Sequence, residues 1–146
     1  YSDTVIKSLL IDGLHIIESD EKSSDASYIK VIGQVDNMVV RNVEIIRDVV
    51  IQQKGCLIET TKPTADIKNL VINNVIVNRM KNLISHKNGK IETIQINNIL
   101  SSDMGDAIIT TDHDIKQVNA SAVYGAVLIS SNSQGKIEKI SWLSFL

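Results

Sequence analysis

Aromatic residues are almost missing from this chain of 146 residues, which holds one Trp, one Phe and three Tyr. Its core must therefore be aliphatic, and there are too few rings to floor a groove with stacked sugar platforms. A lone cysteine, Cys56, excludes an internal disulfide and reads as a small buried apolar side chain rather than a nucleophile. The net charge is −2 with no basic run, so the electrostatic footprint of a nucleic-acid binder is missing. No run of eighteen apolar residues occurs, and so no helical membrane span. Alanine and leucine, which favour helices, are scarce beside isoleucine and valine, and that balance favours strands. At this length a single domain over residues 1–146 is expected. The start at Tyr1 rather than Met points to a processed product or a fragment of a longer chain.

What the chain does have is a repeat. An apolar phrase with four slots returns six times, beginning at Ile6, Val35, Ile67, Ile91, Ile115 and Ile137. The third copy fills its slots with Ile67, Leu70, Ile72 and Val75, and the fourth with Ile91, Ile94, Ile96 and Ile99. Copies lie about 22 to 32 residues apart, a solenoid spacing. Within the phrase the period is two with one extra residue, so each copy reads as a strand that bends sharply and continues. Gly13, Asn42, Asn74, Asn98, Ala122 and Ser144 occupy the bend. Gly and Asn tolerate the left-handed backbone such a corner needs, and stacked Asn side chains can hydrogen-bond from coil to coil.

After each corner the sequence supports a second short strand, a polar loop, a third strand and a return loop. The run Val75–Val77, the loop Asn78–Asn82, the strand Leu83–Ser85 and Gly89 show the plan. The predicted fold is therefore all-β, a right-handed parallel β-helix of about six coils with three short strands each. A leucine-rich repeat is the rival solenoid, but Asn74 and Asn98 follow the third apolar slot by two positions rather than three, and no helical period is present. The longest loops, Glu18 to Ser27 and Arg47 to Gly55, are where insertions are tolerated. Six coils make a rod only about 25–30 Å long with open strand edges at its ends. Trp142 and Phe145 in the last copy then serve either as an apolar lid or as an association surface. In the third strands, Ile29, Leu57, Ile84, Ile108 and Val127 align as an inward stack. The next column, Lys30, Ile58, Ser85, Ile109 and Leu128, then faces outward yet is largely apolar. Such a face is expected to be covered by a neighbouring subunit or by further chain.

The coil phrase and its Asn corners resemble the right-handed parallel β-helices of the pectin-lyase-like superfamily, and within it the tailspike and tail-appendage proteins of bacteriophages. The resemblance runs from about Ile6 to Trp142. It implies a homotrimer on a virion or outside the cell, bound to a bacterial surface glycan such as capsule, O-antigen or teichoic acid. It implies no cofactor and no metal. Many members of the family cleave the glycans they bind. The segment Gly105-Asp106-Ala107-Ile108 is similar to the glycine-aspartate-aspartate segment of polygalacturonases, although only Asp106 matches, and Tyr124-Gly125 replaces that family's histidine-glycine.

Glycoside hydrolysis needs two carboxylates about 5–10 Å apart. The candidates for that chemistry are Asp106 with Asp103 or Glu59, while His86, Asp112 and His113 are candidates for contacting substrate. Competing with these roles, Asp106, Asp112 and Asp114 stand at strand ends where they can cap turns, and His86 reads as an exposed turn residue. Asp112-His113-Asp114 is not expected to hold a metal, because adjacent residues in an extended loop rarely converge and no second ligand group is evident. The leading expectation is a structural, glycan-binding segment with specificity in its two long loops. A polysaccharide depolymerase and a secreted bacterial adhesin are the alternatives.

Overall fold

A computed structural model describes residues 4–20, 25 and 27–143. It holds eleven strands and, among the described residues, no helix. In chain order these are β1 (Val5–Asp12), β2 (His15–Glu18), β3 (Ser27–Val31), β4 (Gln34–Arg47), β5 (Cys56–Thr60) and β6 (Asp66–Asn78). There follow β7 (Asn82–His86), β8 (Lys90–Ser102), β9 (Ile109–Thr111), β10 (Ile115–Tyr124) and β11 (Ile137–Leu143). The first sheet runs β1-β4-β6-β8-β10-β11, with β2 also on β4, and the second runs β3-β5-β7-β9. Every pairing is parallel. The chain is thus a right-handed parallel β-helix of about five turns. Six passes of the repeat phrase bound five turns, which accounts for the difference from the count of six.

Strand register follows the repeat residue for residue. Ile6, Val35, Ile67, Ile91, Ile115 and Ile137 form one continuous row across the first sheet. All four slots of the second to fifth copies are buried, because each lies between coils above and below. In the first copy Leu9, Ile11 and Leu14 are only half-buried, as expected on an edge strand.

The bend residues all take the left-handed conformation: Gly13 at φ 88°, Asn42 at 55°, Asn74 at 58°, Asn98 at 62° and Ala122 at 52°. Ser144, the sixth, lies outside the described residues. At these corners the ladder does not break. Val43, Val75, Ile99 and Val123 pair beyond the bend as their predecessors do before it, so the first and second strands of a coil merge into one long bent strand. Asn74 Nδ2 donates to Asn42 Oδ1 at 2.7 Å, and Asn42 Nδ2 donates to Asp12 Oδ1 at 2.7 Å. This ladder satisfies side-chain groups along the corner and ties three coils together. A second amide rung joins Asn69 Nδ2 to Asn37 Oδ1 at 3.0 Å.

The third-strand columns differ from the sequence alignment. Ile58 pairs with Ile29 and Ile84, Ile84 with Ile109, and Ile109 with Ile129. Leu57, Leu83 and Ile108 are also fully buried, so two adjacent residues point inward on each pass. The cause is a second bend, at which Leu83 N and Ile84 N both donate to Ile108 O at 2.9 Å. Alternation resumes beyond it, and the true outward column is Lys30, Glu59, Ser85 and Thr110, which is polar throughout. Val127, expected inside, is 68% exposed, while Leu128 is buried. No apolar column faces outward on this sheet.

The long loop after β4 is held by a buried cation. Arg47 is 2% exposed. Its Nη1 donates to Lys54 O at 2.5 Å and Arg79 O at 2.9 Å, its Nη2 donates to the Tyr28 hydroxyl at 3.1 Å, and its Nε lies 3.3 Å from Glu18 Oε2. The Tyr28 phenol is pushed up to about 12, by burial first and then by Glu18.

Two stability measurements follow. Arg47→Met should cost about 3–5 kcal/mol by urea unfolding, since it strands the Glu18 carboxylate and two carbonyls. Ala122 alone among the described corners pays the left-handed cost without Gly or Asn chemistry. Ala122→Asn should therefore raise stability by about 0.5–1 kcal/mol, and an unchanged or lowered urea midpoint would contradict the corner assignment.

Candidate functional site

Because β5 and β7 point two residues inward at the bend, the residues on either side of it face out. Ser27, Cys56 and Asn82 form one outward row, and Lys30, Glu59, Ser85 and Thr110 form the other. Turn residues rise beside them: Asp25, Lys54, Gly55 and Lys81 before the strands, Lys87 and Asp112 after them. The result is an open cleft of about 620 Å³. Lining residues come from five successive passes of the chain, Asp25 to Asn132, so the cleft follows the helix axis for about 19 Å at one strand spacing per coil. Among the described residues no aromatic ring is exposed in it, since the His86 imidazole at its edge is fully buried.

Glu59 is the electrostatic centre of the floor. It is 8% exposed, accepts from Ser27 Oγ at 2.7 Å and Lys87 Nζ at 2.8 Å, and lies 3.9 Å from Lys30 Nζ. Burial pushes its pKa up, but the Lys87 and Ser27 hydrogen bonds and the two ammonium charges outweigh burial and hold it below the usual carboxylate range. The Lys87 ammonium is raised, first by its bond to Glu59. Glu59 is therefore a fixed anion at neutral pH. Beside it the Cys56 thiol, pushed up by burial and bonded to Ser27 Oγ at 3.6 Å, stays protonated and unreactive.

The remaining sequence candidates are placed as follows. Asp106 does not line the cleft. Its Oδ1 accepts from Ala107 N at 2.8 Å and its Oδ2 from Ser130 Oγ at 2.7 Å, and these bonds outweigh burial to lower its pKa. It caps the turn before the third strand. Asp103, at φ 54°, accepts from Gln53 Nε2 at 2.6 Å and pairs with Arg79, also away from the cleft. Asp112 does line the cleft, opposite in sequence to the Lys54 and Lys81 turns. Asp114 Oδ1 accepts from Lys136 N at 2.8 Å, as a turn cap does. Of the three carboxylates named for catalysis, only Glu59 faces the cleft.

His86 is not an exposed turn residue: it is 0% exposed. It occupies the inward row Val31–Thr60–His86–Thr111, one position past the outward row, and alternation turns it toward the core. Its Nδ1 lies 2.5 Å from Thr60 Oγ1, and its Nε2 is buried without a hydrogen-bond partner. The exposed His113 ring stands one coil on, 5.9 Å from the His86 ring between centroids. Burial first, then repulsion by His113, lowers the His86 pKa to about 4. Among the described residues no group of three or more His, Cys, Asp and Glu is arranged to hold a metal ion. Sequence reasoning missed Ser27, Asn82 and Thr110 and read Ser85 only as an outward residue, because single polar residues in a strand carry no signal until the second bend fixes which way their neighbours face.

Compared with protein families, curated proteins and solved structures, the chain matches none.

A pH dependence follows from His86. Its pKa is near 6.5 unfolded and about 4 folded, so between those values the unfolded chain binds more protons. Stability should be full above pH 6.5, fall by up to about 3 kcal/mol on acidification to pH 4, and level off below it for this group. His86→Gln should flatten that part of the urea-midpoint profile, and an unaltered slope would show that other groups carry it.

Proposed function

We propose that this chain is a glycan-binding segment of a phage tailspike-type β-helix of the pectin-lyase-like superfamily, acting on the virion tail as a homotrimer. Its ligand is an extended bacterial surface polysaccharide or teichoic acid lying along the second sheet. The observation that carries this reading is the axial cleft, lined mainly by hydroxyl, amide and charged residues and drawn from five passes of the chain. A linear polymer meets a fresh row of hydroxyl, amide and charged groups at every coil, and such a contact accumulates affinity without deep enclosure. The two long loops support it, since Asp25 of one and Lys54 and Gly55 of the other form its rim.

Binding is favoured over cleavage by the state of the carboxylates. A general acid must be protonated near neutral pH, and Glu59 is instead held ionised by two lysines. Asp106 and Asp103 are spent on turn contacts outside the cleft. The trimer has its own support on the outward face after the corner. There Ile17 pairs with Ile46 and Ile76 with Leu100, two exposed apolar pairs offset from one another by two positions, and apolar surface of that kind suits a neighbouring subunit.

Titration against purified capsule, O-antigen and teichoic acid tests the proposal. One of them should bind without release of reducing ends. Ser85→Tyr, which fills the cleft floor, should weaken binding at least tenfold, whereas Gln95→Tyr on the first sheet should leave it unchanged. Loss of binding by Gln95→Tyr but not by Ser85→Tyr would place the ligand elsewhere. Sedimentation should give a trimer that Leu100→Asp dissociates, and a monomeric native protein would remove the trimer.

A further inference from the structure

The buried His86 imidazole and the exposed His113 imidazole belong to successive coils, so coil stacking brings together two residues that the chain separates by a whole turn. Their centroids are 5.9 Å apart and their planes are tilted by 59°. Two imidazoles sharing one metal at about 2.0–2.1 Å per Zn–N bond put their rings at nearly this separation. The His86 ring is already oriented. Thr60 Oγ1 and Nδ1 share a hydrogen bond; in the tautomer with the proton on Nδ1, Nε2 keeps a free lone pair, and no protein group among the described residues bonds to it. A hydroxyl on the far nitrogen is the outer-shell support that metal-bound histidines use to fix tautomer and ring angle. A buried polar nitrogen left without a partner costs about 1–3 kcal/mol, which a bound ion would offset.

We propose that His86 and His113 form a two-imidazole site for a borderline divalent transition metal such as Zn²⁺, Ni²⁺ or Cu²⁺, with water completing the coordination. Neutral nitrogen donors select these ions over Mg²⁺ and Ca²⁺, which take oxygen. Asp112, the residue before His113, borders the same cleft as His86 and supplies a carboxylate on that side. Entry is through His113, whose exposed side chain can rotate to admit the ion. The site is short of the four protein ligands of a structural zinc centre, so it is a chelating clip between two coils rather than a condition of folding. The third histidine, His15, is paired with Glu44 at 3.1 Å on the first sheet and serves as a control.

Calorimetric titration of untagged protein with Zn²⁺ and Ni²⁺ at pH 7.5, with ring-detected NMR of the three histidines, decides the matter. The expected result is one saturable site with a micromolar dissociation constant, shifts at His86 and His113 only, and a melting temperature that rises by a few degrees at a large excess of metal. His113→Gln, a surface change that leaves the fold intact, should abolish the site, and His15→Gln should leave it unchanged. No saturable binding, or binding that survives His113→Gln, would overturn the assignment. Circular dichroism of His86→Gln shows whether loss in that variant is local. If it unfolds, the His113→Gln result stands alone.

Discussion

The structure depends on a backbone that turns sharply without losing its hydrogen-bonded neighbours. A column of left-handed residues, Gly13, Asn42, Asn74, Asn98 and Ala122, makes that possible. For an L-residue the left-handed region costs about 1–2 kcal/mol, which Gly avoids and Asn partly recovers through its own side chain. Stacking the costly residue at the same point of every coil keeps both arms of each strand in register. It also lets Asp12, Asn42 and Asn74 bond to one another. One misplaced corner would shift a strand by one residue and turn its apolar set outward.

From that column the interior follows. Under the first sheet apolar side chains without rings fill it, because each row repeats side chains of similar size: Met38, Leu70, Ile94 and Val118 in one, Val43, Val75, Ile99 and Val123 in another. A layered interior of this kind has no need of large aromatic rings. Neighbour-only contacts leave the outside of each sheet free to vary. The corner face carries amides, the face beyond it carries exposed Ile76 and Leu100, and the second sheet carries the polar cleft.

The first sheet was legible in the sequence almost residue by residue, since its period-two phrase and its corners recur at the same offsets. The second sheet was not. Its strands are five residues or fewer and contain or adjoin paired apolar residues, Leu57-Ile58, Leu83-Ile84 and Ile108-Ile109. A short apolar pair does not say which member points inward, and here both do. That ambiguity carried straight into the site. It put Ile58 and Ile109 beside Lys30 and Ser85 in the outward column where Glu59 and Thr110 belong, and it made His86 look like a surface turn when it is an inward residue beside Thr60. Aspartates were legible as types but not as roles, because Asp106 and Asp112 differ in their neighbours a coil away and not in their local sequence.

Amide hydrogen exchange, read residue by residue, tests the central claim most directly. If the corners are bends within unbroken ladders, protection should run continuously through β4, β6 and β8. Val43, Val75 and Ile99, each just past its corner, should exchange as slowly as Val40, Ile72 and Ile96 before it. Fast exchange confined to the residues after Asn42, Asn74 and Asn98 would mean that the strands end there, and the account of the fold would fail.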